Sequence, residues 1–298
     1  RFGYHYMNRN DRITQPLLKE DGKYIPITFD KAFELIKEKI ENVKPDENAF
    51  YAGARLTNEE QYLIQKIARL GTKTNNINSF HYLFGGDGFC FNSKANIPFE
   101  QLKQASKIIL LGSQIHEDNA VAGFIVNNQR ETRGIPVTYI NKNSESKLIK
   151  KVDEVLTVDS YYYFVKALNH YLLKNNKEND FYIKDNTVGF KNYKDYLLHA
   201  NYDELIEKAG VCRSCLEEFA EDYNKQMNAV IIYSENELSP NTCYALFNLA
   251  MFTGKLGKTG NGLISLKAKN NSQGLIDMGI SPKYGIGTKP IEDPEYVK

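Results

Sequence analysis

Tryptophan is absent from the 298 residues, and cysteine occurs four times, at 90, 212, 215 and 243. So few and so unevenly spaced cysteines exclude a disulfide framework for a chain of this length and point to a reducing compartment. No apolar run approaches the roughly 18 residues of a membrane span, and the opening RFGYHYMNRN lacks the apolar core of a signal peptide. Charge of one sign is also missing: a formal net charge of +1, with lysines interspersed among acids, leaves no footprint for nucleic acid or an anionic membrane. The five histidines are dispersed, with no HExxH, and neither GxSxG, GxxxxGK[ST] nor a GxGxxG at a strand-helix junction occurs. Those absences argue against metal hydrolysis, an α/β-hydrolase elbow and a standard nucleotide loop.

What is present is an alternation of β-branched apolar runs with helical patterns, the signature of an α/β fold with a parallel sheet covered by helices on both faces. KIILLG (107–112), IPVTYINK, VDEVLTVD and NAVIIYSE read as strands, and NAFYAG (48–53) as a further one. ITFDKAFELIKEKIENV, TNEEQYLIQKIARLG, AVAGFIVNNQRETRG, DSYYYFVKALNHYLLKNN and NTCYALFNLAMFTG read as helices, with Thr28 or Asp30, Thr57 or Asn58, and Asp159 or Ser160 as caps. Residues 1–44 form an arm and first helix, 45–262 an α/β domain with an exposed excursion near 175–201, and 263–298 a glycine-rich tail that reads mostly as loop. The triplet Tyr161 to Tyr163 is a helix start resting on the sheet, not a stacking platform.

Ligands of an open parallel sheet bind beyond the carboxyl ends of its strands. Three stretches fall there: LLGSQIHEDNAV, with Gly112, Ser113 and Glu117; YINKNSES, with Asn141; and the tail, with Lys267, Lys269, Asn270, Asn271 and Gln273. His116 and Glu117, adjacent in an extended segment, should point to opposite sides. SFHYLFGGDGFCFN (79–92) sets His81 and Cys90 about Gly85, Gly86 and Gly88, a pattern open to a base and thiolate with an anion cradle or to a plain turn. Cys212 and Cys215 form a CxxC at the start of a helix. Without a second CxxC they read as structural thiols in preference to a metal or redox pair.

Taken in order, the motifs resemble the molybdopterin oxidoreductase superfamily, which includes formate dehydrogenases, nitrate reductases and the large iron-sulfur subunit of NADH-quinone oxidoreductase. RFGYHYMNRNDRITQPL is similar to the segment after that family's cluster cysteines, ARLTNEEQ…TKTNNIN to its helix and following strand, and FTGKLGKTGNG to the formate dehydrogenase branch. The resemblance implies a metal-ligating cysteine or selenocysteine soon after the Asn-Asn-Ile strand, where this chain has NSFHYLFGGDG and its nearest cysteine is Cys90. It implies Asp-Pro-Arg near a guanine nucleotide, where Asn141, Lys142 and Asn143 stand, and an arginine and a glycine at Lys267 and Ala268.

Those departures point to a molybdopterin-fold scaffold that kept the fold and lost the chemistry. The type expected is the molybdopterin-fold domain of the large iron-sulfur subunit of bacterial NADH-quinone oxidoreductase, cut from a longer parent at both ends. No catalytic or metal-ligating residue is then expected in this chain. Iron-sulfur clusters would lie upstream in the parent, and Gly112, Ser113, Glu117, Asn141, Lys267, Asn270, Asn271 and Gln273 would bind cofactor only if the pterin pocket is retained. The partners would be other subunits of a membrane-associated respiratory complex, with no nucleic acid and no direct insertion, and the location cytoplasmic and peripheral to the inner membrane. The alternatives are a fragment of a formate dehydrogenase-like molybdenum or tungsten subunit with molybdopterin guanine dinucleotide, and a metal-free nucleotide or pterin module.

Overall fold

A computed structural model describes residues 7, 9–82, 96–142 and 146–292. An antiparallel hairpin, β1 (Leu17–Glu20) and β2 (Lys23–Pro26), turns at Asp21 and Gly22, both at positive φ. Helix α1 (Phe29–Glu41) follows, with the Thr28 hydroxyl accepting from Lys31 N; Asp30 sits in the first turn, where its charge suits the helix dipole. The strand expected over 48–53 shortens to β3 (Phe50–Tyr51), which pairs in parallel with β4 (Ile77–Asn78) in a separate two-stranded sheet. Between them, α2 (Asn58–Lys66) opens on a reciprocal cap: the Thr57 hydroxyl accepts from Glu60 N, and the Glu60 carboxylate accepts from Thr57 N at 2.7 Å.

The central sheet comprises β5 (Lys107–Leu111), β6 (Val137–Asn141), β7 (Glu154–Thr157), β8 (Ala229–Ser234) and β9 (Gly262–Leu266), all parallel in the order β7-β6-β5-β8-β9. Side chains alternate between two cores because successive Cβ atoms leave a strand on opposite faces. Ile109, Leu111, Ile231 and Tyr233 enter one cluster, and Ile108, Leu110, Val230 and Ile232 the other. The second face carries Ala122 and Val126, from the helix pair α3 (Ile115–Asp118) and α4 (Ala120–Arg133), which closes at the left-handed Gly134. The first is covered by α5 (Tyr161–Lys174), α6 (Asp180–Asn186), α7 (Phe190–Leu198), α8 (Tyr202–Ala209), α9 (Arg213–Lys225) and α10 (Pro240–Phe252). An α/β fold with helices on both faces of a parallel sheet is therefore what the sequence specifies.

Three expectations change. The tail boundary at 263 falls inside β9, and the glycine-rich region contributes that strand and α11 (Ser272–Asp277) in place of mostly loop. Glycines there serve chain reversals, at Gly257 and Gly260 with positive φ, leaving GLISL free to pair with β8. The 175–201 excursion is two short helices, and Ile183 and Leu197 anchor them in the main core. Finally, Cys212 and Cys215 are joined in a disulfide, not held as separate thiols. The helix start brings their Cα atoms to 5.3 Å, inside the range a disulfide spans. The remaining described cysteine, Cys243, is buried in α10.

A smaller core joins the two ends of the chain: Ala52, Ala54, Ala68 and Ile77 pack with Leu275 and Ile280. Arg69 clamps it, its guanidinium donating to the carbonyls of Gly279, Ser281 and Tyr284 at 2.9, 2.7 and 3.2 Å. No helix among the described residues is long and apolar enough to cross a membrane.

Candidate functional site

The strand order reverses between β5 and β8, since β6 and β7 extend from one side of β5 and β9 from the other side of β8. That crevice is the place where open α/β sheets hold ligands. On its rim β5 ends in Gly112 and Ser113, and β8 in Ser234 followed by Glu235, with Ser234 N donating to Gly112 O at 3.4 Å. Gly112 is fixed by packing: its φ is +55°, and a Cβ there would meet Leu238 at 2.8 Å and Tyr161 at 3.0 Å. Tyr161, buried under it, receives a hydrogen bond from Lys142 N at 3.2 Å, as a helix start resting on the sheet should.

Ser113 and Asn141 are each 1% exposed, and neither Ser113 Oγ nor either amide atom of Asn141 has a hydrogen-bond partner among the described residues. Buried polar atoms left in that state cost free energy until something satisfies them. Glu117 departs from this group: its side chain is 61% exposed, and it lies 3.4 Å from His116 Nε2. The two meet because residues 115–118 form a helical turn instead of the extended segment that would have separated them.

The tail candidates divide as well. Lys267 Nζ donates to the buried carboxylate of Glu235 at 2.5 Å, and Ser265 Oγ donates to the same oxygen at 2.5 Å. Lys267 thus reaches the crevice with its charge largely answered. Asn271 is a brace: its amide donates to Leu56 O at 2.7 Å and Asn58 Oδ1 at 2.9 Å, while its backbone N–H donates to Ala54 O. Gln273 donates along α11 to Asp277 at 2.9 Å, and Asn270 is exposed.

Bracing by Asn271 holds the tail against residues 51–55 and opens a cavity of about 500 Å³ lined by Tyr51, Ala52, Gly53, Ala54, Arg55, Ser79, Phe80, His81 and Lys269. Tyr51 and Phe80 stack with ring centroids 4.6 Å apart and planes 7° apart. Burial, and then the charges of Lys269 and Lys267, hold the His81 imidazole below its ordinary pKa, which keeps it neutral near pH 7. A cavity with Arg55 and Lys269 on its wall, a neutral imidazole and a flat aromatic surface is suited to an anion carrying a planar group.

The sequence had pointed to His81 and Lys269 but not to Arg55, Glu235 or the Tyr51–Phe80 pair. Glu235 could have been found by its position directly after a buried strand. The other two become meaningful only when the tail closes over residues 51–55. Cys90, Gly85, Gly86, Gly88 and Asn143 lie outside the described residues. Among the described residues no group of three His, Cys, Asp or Glu side chains is placed to hold a metal ion.

A parallel sheet whose strand order reverses at a crevice, with a tail that returns to the first strands, is an open α/β architecture with helices on both faces. Residues 12–292 match the model of the molybdopterin oxidoreductase family, and the chain belongs to that family. It is 29% identical over 298 residues to F420-dependent formate dehydrogenase 2 subunit alpha of Methanococcus maripaludis, and 30% identical over 312 residues to F420-dependent formate dehydrogenase subunit alpha of Methanocaldococcus jannaschii. Each match takes in 97% of this chain and 44% of the relative, so the chain spans less than half the length of these proteins. A probable oxidoreductase of Bacillus subtilis, YjgC, is 26% identical across 99% of this chain and 32% of its own length. In three dimensions the chain is similar to acetylene hydratase from Pelobacter acetylenicus, with a TM-score of 0.71 over 89% of this chain and 37% of that one, at 15% identity, which is a likeness of fold.

Proposed function

We propose that this chain is part of a formate dehydrogenase-like oxidoreductase subunit. In this reading the crevice and cavity together hold a molybdenum or tungsten pterin-guanine dinucleotide. The observation that carries the proposal is the cavity of Arg55, His81 and Lys269 in a chain that also leaves Ser113 and Asn141 unsatisfied at the strand ends, and whose relatives are named as formate dehydrogenase α subunits. Ser113 and Asn141 would satisfy the polar edge of the nucleotide. Arg55 and Lys269 would pair with its phosphates, and Lys267, held by Glu235, would keep the tail in register with the crevice. When bound, such a group supplies the two-electron chemistry that takes formate to carbon dioxide, a proton and two electrons. His81, held below its ordinary pKa by burial and by Lys269 and Lys267, would present a neutral imidazole at the cavity wall.

The expectation of a scaffold domain from the large iron-sulfur subunit of NADH-quinone oxidoreductase gives way here, because the relatives are formate dehydrogenase α subunits. Those are subunits by name, so partner subunits belong to the proposal, whereas a respiratory membrane complex has no support in them. One observation keeps a second reading in view: residues 76–89 contain no cysteine, so the family's metal ligand has no counterpart directly after the Asn-Asn-Ile strand. In that second reading the subunit retains a pterin nucleotide without metal.

Metal analysis and mass spectrometry of small molecules released from the full-length protein, together with a formate oxidation assay, test both. Stoichiometric molybdenum or tungsten with pterin nucleotide and formate turnover is expected, and Arg55→Ala combined with Lys269→Ala should release most of the pterin. Pterin nucleotide without metal or turnover would establish the second reading instead. An empty extract from an inactive protein would defeat both.

A further inference from the structure

On the first face of the sheet, α8 ends at the left-handed Gly210, and after Val211 the chain enters α9 with Cys212 as its N-cap. Cys212 is exposed and Cys215, one turn into the helix, is half-buried. Their bond closes a ring of four residues, the short end of the range over which a cross-link restrains the unfolded chain, so structural bracing is a weak reason for it. The geometry favours chemistry instead. Cys212 Sγ accepts a hydrogen bond from Cys215 N at 3.0 Å, lies 3.4 Å from the Ser214 hydroxyl, and sits at the positive end of the dipole of a 13-residue helix. An N-cap sulfur so placed is stabilised as a thiolate, which makes it both a good leaving group and an accessible target. Arg213 adds positive charge to the turn, although its guanidinium is engaged with Asp203 and lies 5.1 Å from the centre of the Tyr202 ring.

We propose that Cys212 and Cys215 form a redox-active pair that exchanges with external dithiols, a site separate from the crevice and the cavity. A thiolate of the reductant forms a bond to Cys212 Sγ as the Cys212–Cys215 bond breaks. Its electron pair leaves on Cys215 Sγ, which takes up a proton. The second thiol of the reductant then closes on its own sulfur in the mixed disulfide and releases Cys212 as thiolate. Two electrons pass from the dithiol to the protein, and the reductant departs as its disulfide.

The test uses the full-length protein in buffers of reduced and oxidised dithiothreitol, with acid quenching, alkylation and peptide-resolved mass spectrometry. The peptide carrying residues 212 and 215 should interconvert between disulfide and dithiol in a single two-electron transition without unfolding, followed by circular dichroism. After reduction, Cys212 should alkylate at least about tenfold faster than Cys215, the ordering expected for an exposed N-cap thiolate. In Cys215→Ser, oxidised glutathione should form a mixed disulfide at Cys212, and in Cys212→Ser, Cys215 should form little or none. A bond that dithiothreitol reduces only in denaturant, or equal alkylation of the two sulfurs with no adduct in Cys215→Ser, would overturn the proposal.

Discussion

Helices α1 and α5 are almost equal in length, at 13 and 14 residues, and both begin on a hydroxyl cap, yet α1 has no buried residue and α5 has nine. Phe33 is 62% exposed on α1, while Phe164 is fully buried on α5. Local chemistry is equally good in both. What differs is the surface opposite: α5 lies on the sheet between α8, α9 and α10, whereas α1 projects from a hairpin with no comparable apolar partner among the described residues. An amphipathic pattern therefore specifies a helix and the face that wants covering, but not the cover.

That contrast can be broken by mutation. Phe164→Ala should cost about 4 kcal/mol in denaturant unfolding, from lost burial and a cavity between sheet and helix. Next in size is the buried cation that opens β5. Lys107 has 4% of its side chain exposed and donates to Glu154 at 2.8 Å and to Asp222. The double change Glu154→Gln with Asp222→Asn leaves that ammonium buried and unpaired, at a cost of about 3 kcal/mol, the low end for such pairs because both carboxylates are partly solvated.

The same triad predicts a pH dependence. Bonds from Lys107 and Thr138 hold the Glu154 carboxyl below its ordinary pKa. For Asp222, burial works upward, but the bonds from Lys107 and Gln226 prevail and lower it. For Lys107, burial works downward, but the two carboxylates prevail and raise it. The carboxylate contribution is thus complete above their unfolded values near 4 and lost as pH falls through the lower folded ones. The lysine contribution is complete below its unfolded value near 10.5 and lost as pH rises through the higher folded one. Stability measured from pH 6 down to 3 should fall more steeply in the unmutated chain than in the double variant.

Smallest of all, Phe33→Ala should change the stability of this chain by less than about 0.5 kcal/mol. A cost above about 1 kcal/mol would mean that α1 is covered after all, and would erase the contrast with α5.

The central strands were legible because KIILLG, IPVTYINK and NAVIIYSE are short β-branched runs bounded by turn residues, and their helices because caps and spacing agree. β9 was not, since GLISL is embedded among glycines that read as loop until β8 offers an edge to pair with. Of the candidate site, Ser113, Asn141 and Lys267 were visible as residues at strand ends. Glu117 was not separable from them, because one helical turn at Ile115 directs it to solvent. The cysteine pair shows the same limit: CxxC was evident, and its oxidation depended on a cap geometry that sets the two Cα atoms 5.3 Å apart.

By itself the sequence determined the helices and their caps, which rest on contacts within a few residues, the buried strands, which show as short β-branched runs alternating with those helices, and the motif order that marks the family. Tertiary structure alone decided the cavity and the join between the chain's two ends. There Arg69 and Asn271 bind carbonyls across more than 200 residues of sequence, and no local pattern specifies a partner at that distance.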